Sequence, residues 1–170
     1  LPGEGITLIA GPYEVRERRV LSRFGHDIRV RTYFHREIGS LSAGYLDAAT
    51  KHLSRYEALL GEHPRAAYSM VSSPTPTGFG FPGIAYLGID VLKLPFIRDT
   101  SLAHEVLHDW FGNGVYVDYA RGNWAEGLTA FLADYALAEE QGEALARDMR
   151  IRWIRDFSAL PAAARMPLSR

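Results

Sequence analysis

HEVLHDWFGNGVYVDYARGNWAEGLTAF, residues 104 to 131, carries histidines at 104 and 108, a glutamate at 105 and a second glutamate at 126. On a helix, residues four apart lie one turn apart on the same face, so the imidazoles of His104 and His108 can converge on one ion. Glu105 lies about a hundred degrees round the axis; it cannot easily join them as a third ligand, but it can reach a water held at the same point, as a general base must. Two neutral imidazoles and one carboxylate suit zinc and leave a fourth position for a water whose pKa falls towards 7. The competing reading is a core helix whose histidines each bond a carbonyl. Burying two polar rings and a carboxylate together without a cation is costly, which argues against it. With six histidines and eleven glutamates in 170 residues, H-E-x-x-H arises by chance in about one such chain in a hundred.

A third ligand must come from elsewhere in the chain, and Asp109, Asp118 and Glu126 are the nearest carboxylates. Asp109 points off the histidine face, and Asp118 sits in an irregular connection. Glu126 falls in the first turn of the next helix, facing back along a hairpin of two helices. It has a competing role, because Asn123 followed by Glu126 is an N-x-x-E form of the capping box, in which the glutamate satisfies a backbone N–H. The upstream histidines favour the ligand reading. Of the remaining histidines, His52 and His63 have no partner at ligand spacing and read as surface or hydrogen-bonded residues.

Before this stretch the chain is strand-like, and after it helical. YEVRERRV and HDIRVRTYFH, in the region 13–35, alternate in period two, with Ile28, Val30, Thr32 and Phe34 on one face and Arg29, Arg31, Tyr33 and His35 on the other. The connector LSRFG makes them antiparallel neighbours with one wet face. From Leu41 the period changes: Leu41, Tyr45, Ala49, Leu53, Tyr56 and Leu60 form one helical stripe, ended by Gly61 and Pro64. AAYSMVSS and GIAYLGIDVL read as short strands, and the PTPTGFGFPG between them reads as irregular because of its three prolines and three glycines. The helix bearing the histidines is expected to start at Asp99, Thr100 or Ser101 and to stop at Gly112-Asn113-Gly114. Another starts after Gly122 with Asn123 as cap and a stripe of Leu128, Phe131 or Leu132, and Tyr135. A last one, from about Glu143 to Phe157, stacks Leu145, Met149, Trp153 and Phe157. This order predicts an α+β fold with an antiparallel or mixed sheet.

Composition narrows the function classes. The chain is 47% hydrophobic and 23% charged, which fits one globular domain over residues 1–170. Its net charge of -1 supplies no basic field for nucleic acid or anionic membrane. The absence of cysteine excludes thiolate metal sites, disulfides and a cysteine nucleophile together. No run of 18 apolar residues reads as a membrane span. The first residue is Leu1 rather than Met, which suggests a piece of a longer polypeptide.

HEVLHDWFGN followed by NWAEGLTAFLADY resembles the zinc site of the gluzincin metallopeptidases, specifically the aminopeptidase N-like family, and the likeness extends to Trp110, Phe111, Gly112, Asn113, Trp124 and Gly127. The resemblance implies a thermolysin-like zincin domain that hydrolyses peptide or protein substrates, with zinc on His104, His108 and Glu126 and with Glu105 as base. The glycyl aminopeptidase family, with a similar E-G-x-T context and a later helical aspartate like Asp134, is a second relative. Three departures matter. Only 17 residues separate His108 from Glu126, a shortening by one that the Arg121-Gly122 turn can absorb. The family's substrate strand, G-x-M-E-N, has its counterpart by position at Gly83 to Leu87, so Gly83, Ala85 and Tyr86 become the substrate-binding candidates. There Tyr86 replaces the glutamate that holds a free amine, or else is a packed strand aromatic. The family's oxyanion-stabilising tyrosine has no counterpart, because the chain ends 44 residues after Glu126, which implies a domain truncated in its C-terminal helical lobe. A gluzincin fold that holds zinc and peptide without turnover is the alternative to an enzyme.

Overall fold

The computed structural model describes residues 7–120 and 122–165. Leu1 and Arg121 lie outside the described residues. Two strands, β1 (Tyr13–Leu21) and β2 (Asp27–His35), pair antiparallel as their alternation requires. Ile28, Val30, Thr32 and Phe34 are all buried, and the arginine face between them is wet. Helix α1 (Ser42–Leu60) then crosses the sheet and buries Tyr45, Ala49, Leu53 and Tyr56, the stripe expected of it. The Phe34 and Tyr45 rings meet edge to face at 5.3 Å.

The crossover lets β3 (Ala67–Ser73) run parallel to β2, and β5 (Ile84–Gly88) runs parallel to β3 in turn. Between β3 and β5 in sequence comes β4 (Gly78–Phe81), which pairs antiparallel with β5 and closes the sheet in the order β1-β2-β3-β5-β4. This corrects the expectation that residues 74–83 are irregular. Pro74, Pro76 and Pro82 flank the strand rather than interrupt it, and Pro82-Gly83, with Gly83 at φ 73°, forms the tight turn of a hairpin. A second correction concerns the end of GIAYLGIDVL. The strand stops at Gly88, and Ile89–Leu92 is one helical turn, α2.

Helix α3 (Ser101–Leu107) lays Leu102, Ala103, Val106 and Leu107 into the core against α1 and the sheet. It is shorter than expected. Beyond Leu107 the chain continues as tight turns, with Asp109 N–H on Val106 O and Trp110 N–H on Leu107 O, until Gly112 at φ 101° reverses it. Helix α4 (Trp124–Thr129), a π turn (Ala130–Tyr135) and α5 (Ala136–Gln141) form one continuous helical stretch, followed by α6 (Glu143–Ala159). The buried residues of that stretch are Ala125, Thr129, Ala133, Leu137 and Ala138, while Leu128 and Phe131 are exposed. Of the expected stripe of Leu128, Phe131 or Leu132, and Tyr135, Leu132 packs against the core, and the rest of the buried face is made mainly of small residues turned towards α3. On α6, Leu145, Trp153 and Phe157 of the expected stack are exposed and Met149 is half-buried. Among the described residues no helix is long and apolar enough to cross a membrane.

Candidate metal centre

Three donors meet where α3 and α4 face each other. His104 and Glu105 sit in α3, and His108 occupies its C-cap with helical backbone angles, so the i, i+4 relation survives the end of the helix. Glu126 lies in the first turn of α4, whose cap residue Asn123 makes no side-chain capping bond. The carboxylate of Glu126 lies instead beside the histidines: Oε2 is 3.5 Å from His104 Nε2, and Oε1 is 3.4 Å from His108 Nε2. The two Nε2 atoms are 3.1 Å apart. Ligand bonds of 2.0–2.1 Å at tetrahedral angles place neighbouring donor atoms about 3.3 Å apart, close to the separation of the two Nε2 atoms and to that of each from its nearer Glu126 oxygen.

The far side of each ring is tied down. His104 Nδ1 lies 2.9 Å from Asp134 Oδ2, and His108 Nδ1 lies 3.0 Å from the carbonyl oxygen of Phe111. A carboxylate and a carbonyl only accept, so each Nδ1 carries the proton and each Nε2 presents its lone pair inward. Two lone pairs and a carboxylate aimed at one point repel unless a cation lies between them. The surrounding charges agree. Burial works to lower the His104 pKa, but the bond to Asp134 and the charges of Asp134, Glu105 and Glu126 outweigh it and hold the imidazole above its ordinary value. The donor set, the spacing and the field all fit zinc.

Asp134 reaches His104 because of the π turn. At about 100° per residue, positions eight apart on an α-helix are about 80° out of phase, and the one extra residue of a π turn brings Glu126 and Asp134 back to within about 20°. Neither the spacing nor the residue types of Trp124 to Gln141 announce that turn.

Glu105 projects beside the cluster, towards β4. A Cβ built on Gly80 would lie 2.8 Å from Glu105 Oε2 and 3.8 Å from His108 Cδ2, so only the missing side chain leaves this space open. Burial pushes the Glu105 carboxyl up, and the charges of Glu126 and Asp134 push the same way, against the pull of His104 and His108. A carboxylate so raised is a better proton acceptor. Gly78, Phe79, Gly80, Gly112, Asn113, Tyr119 and Asn123 complete the walls of the cleft.

The structure separates the substrate-strand candidates from this cleft. Gly83, Ala85 and Tyr86 belong to the turn and the interior strand β5, which is paired on one edge with β3 and on the other with β4, leaving no free backbone edge for a peptide. Cross-strand register puts Tyr86 in a row with Phe79, Val71, Tyr33 and Val15, on the sheet face opposite the helices. Ala85 is buried in the core. The free edge beside the cleft belongs to β4. Thr77 O accepts from Gly88 N–H, and the alternation of an antiparallel ladder then turns the amides and carbonyls of Gly78 and Gly80 outward. The Pro82-Gly83 turn signal could have identified this hairpin from the sequence. Asp109, just past the cap of α3, faces away from the donors and is buried. His52 is also buried, with Nε2 on the carbonyl of Arg98. Asp118 stays in the connection, where it accepts from Ala120 N–H.

No protein-family model matches the chain, and no curated protein matches it in sequence. Among solved structures it is similar to an M1 zinc metallopeptidase from Deinococcus radiodurans, with a TM-score of 0.66 and 21% identity, over 94% of this chain and 35% of that one. A mutant two-domain M1 zinc metallopeptidase bound to L-tryptophan matches with a TM-score of 0.64 and 23% identity, over the same shares of each chain. A mutant of the Deinococcus radiodurans enzyme bound to a Tyr-Ser-Ala substrate matches with a TM-score of 0.64 and 21% identity, again over 94% and 35%. At this level of identity the likeness is one of fold, and the chain spans about a third of the length of the structures it matches.

Proposed function

We propose that this chain is the zinc-binding part of a metallopeptidase that hydrolyses peptide bonds. The observation that carries the reading is the trio of His104 Nε2, His108 Nε2 and the Glu126 carboxylate, all within 4.8 Å of one another, with both histidines fixed by bonds at Nδ1. In this reading His104, His108 and Glu126 hold zinc, and Asp134 orients His104. Zinc, when bound, supplies a Lewis acid for the scissile carbonyl and lowers the pKa of water towards 7.

The chain's own residues supply the rest. Gly78 and Gly80 offer outward N–H and C=O groups along β4, so an extended peptide can add to the sheet as a further strand and lie across the cleft. Glu105 Oε2, which faces that strand, takes the proton of the attacking water and returns it to the leaving amine nitrogen. One structure of similar fold holds a Tyr-Ser-Ala tripeptide, which makes a short peptide the first substrate to test.

The test is the Glu105→Gln variant. An amide cannot accept the proton, so zinc content and fold should stay as in the parent while turnover falls by about two to four orders of magnitude. Metal content is read by mass spectrometry and turnover on a quenched fluorescent peptide. Turnover equal to the parent's would remove Glu105 from the mechanism. A parent that binds zinc and peptide yet never cleaves would be a binding module instead.

A further inference from the structure

Asp109 follows His108 directly in the chain, yet its side chain leads to the other half of the cleft. It is 1% exposed, and both oxygens are engaged: Oδ1 accepts the backbone N–H of Gly83 at 2.7 Å, and Oδ2 accepts His63 Nε2–H at 2.9 Å. His63, itself buried, donates from Nδ1 to the carbonyl of Arg65 at 2.7 Å and meets the Trp110 ring edge-on at 5.0 Å. Arg65 extends the same link, with Nη2 donating to the carbonyl of Asn113 at 2.8 Å. Gly83 is the second residue of the turn that joins β4 to β5. The carboxylate therefore ties the residue after a zinc-site histidine to the hairpin whose free edge borders the cleft, and His63 fixes its orientation from the start of β3.

Apolar packing would hold these elements together at lower cost, because a buried ionic pair is often no more stabilising than hydrophobic residues of the same volume. What the pair adds is direction. With Oδ1 on Gly83 N–H and 3.6 Å from Arg65 Nε, and Oδ2 on His63, the carboxylate leaves the β4–β5 turn a single position relative to His108. A four-residue edge strand, paired along one side, has little else to set that distance.

We propose that Asp109, held by His63, is a positioning residue that sets the gap between the substrate strand β4 and the zinc-binding histidines, and so the seating of a bound peptide. This rests on the peptidase reading given above. The experiment compares Asp109→Ala with Asp109→Asn in the zinc-loaded full chain. The asparagine can still accept Gly83 N–H, and its amide can donate to Nε2 of a neutral His63; the ion pair with Arg65 Nε is lost, but Arg65 keeps its bond to the Asn113 carbonyl. In Asp109→Ala, zinc should stay at one per chain, amide exchange at Gly83, Phe79 and Phe81 should speed up about tenfold, and KM for a peptide should rise about tenfold with a smaller change in kcat. Asp109→Asn should return both readouts to near the parent values. A merely structural residue would lower the unfolding temperature without this selective change at β4 and in KM. If Asp109→Ala does not fold, Asp109→Glu, which moves the carboxylate by one methylene, should show the same two changes. Unchanged exchange at β4 in a folded Ala or Glu variant overturns the proposal, as does an asparagine variant as impaired as alanine. The exchange measurement needs no turnover, so a parent that never cleaves would defeat the peptidase reading and leave the positioning result standing by itself.

Discussion

His104 is worth more to this site than a single nitrogen, because its value as a donor depends on a second residue. Asp134 Oδ2, 2.9 Å from Nδ1, fixes both the tautomer and the ring plane. Removing that acceptor leaves all three donor atoms in the chain but frees the ring to rotate and to carry its proton on either nitrogen. Asp134→Ala should therefore keep the fold and weaken zinc binding by about ten- to a hundredfold. His108→Phe, which leaves two donors, should abolish stoichiometric zinc altogether. Competition with a chromogenic chelator ranks the two variants. Full zinc occupancy in His108→Phe would dismiss the assignment of the ligands, and parent-like affinity in Asp134→Ala would dismiss the role given to Asp134. At this scale the sequence was informative about the donors, and of their supports it offered Asp134, through the resemblance alone. His104, Glu105 and His108 announce themselves by spacing, whereas the Phe111 carbonyl on His108 is backbone and leaves no mark in residue type.

Elements were legible where a single period ran long enough to mark one face. The alternation of β2 and the four-residue rhythm of α1 each mark one face for the core, and those faces are the buried ones. Besides α2, three elements escaped, each for a physical reason. β4 is four residues long, too short for alternation to show, and its prolines lie beside it rather than in it. α3 ends at Leu107 because its last turn tightens before Gly112, a change in hydrogen-bond pattern that needs no change in composition. The π turn shifts the face of the helix after Glu126, so a strict helical period places its core residues wrongly. The recovered β4 leads to a prediction about Gly80. Its backbone is acceptable to alanine, but the new methyl would meet Glu105 Oε2 at 2.8 Å, and that flexible carboxylate is the group that must give way. Gly80→Ala should thus leave the unfolding temperature within a few degrees of the parent, yet cut kcat about a hundredfold through a displacement of the base on the order of 1 Å. Equal loss of stability and activity would point to general misfolding instead.

Across the whole molecule, one buried carboxylate joins the sheet to the crossover helix. Burial alone pushes Glu57 up, but the Ser22 hydroxyl at 2.6 Å and the backbone N–H groups of Arg23 and His63 together hold it below its ordinary 4.5. A lowered carboxylate stabilises the fold at pH values above 4.5, and that contribution fades as the pH falls through the folded-state value. Thermal unfolding of Glu57→Gln at pH 7 should show a loss of about 1–3 kcal/mol that shrinks in acid, and a constant difference down to pH about 3 would refute it. The same whole-molecule view bears on where a peptide is cut. An enzyme that removes N-terminal residues must hold a charged amine one residue from the scissile bond, and a desolvated ammonium needs an anion beside it. Among the described residues lining the cleft, the carboxylates are Glu105 and Glu126, and the proposed mechanism commits both. The strand that would carry such an anchor presents Gly78 and Gly80 to the cleft, and Tyr86, on the far face of the sheet, cannot serve. Under the proposed mechanism a free N-terminus gains no charge-assisted bond from the described residues of the cleft. Cleavage rates for a short peptide and its N-acetylated form should agree within about threefold, since no charge-assisted bond separates them. Liquid chromatography of the fragments reads both the rates and the bond cut. A strong preference for the free amine, lost on acetylation, would place an anchoring carboxylate in the cleft after all and overturn this prediction.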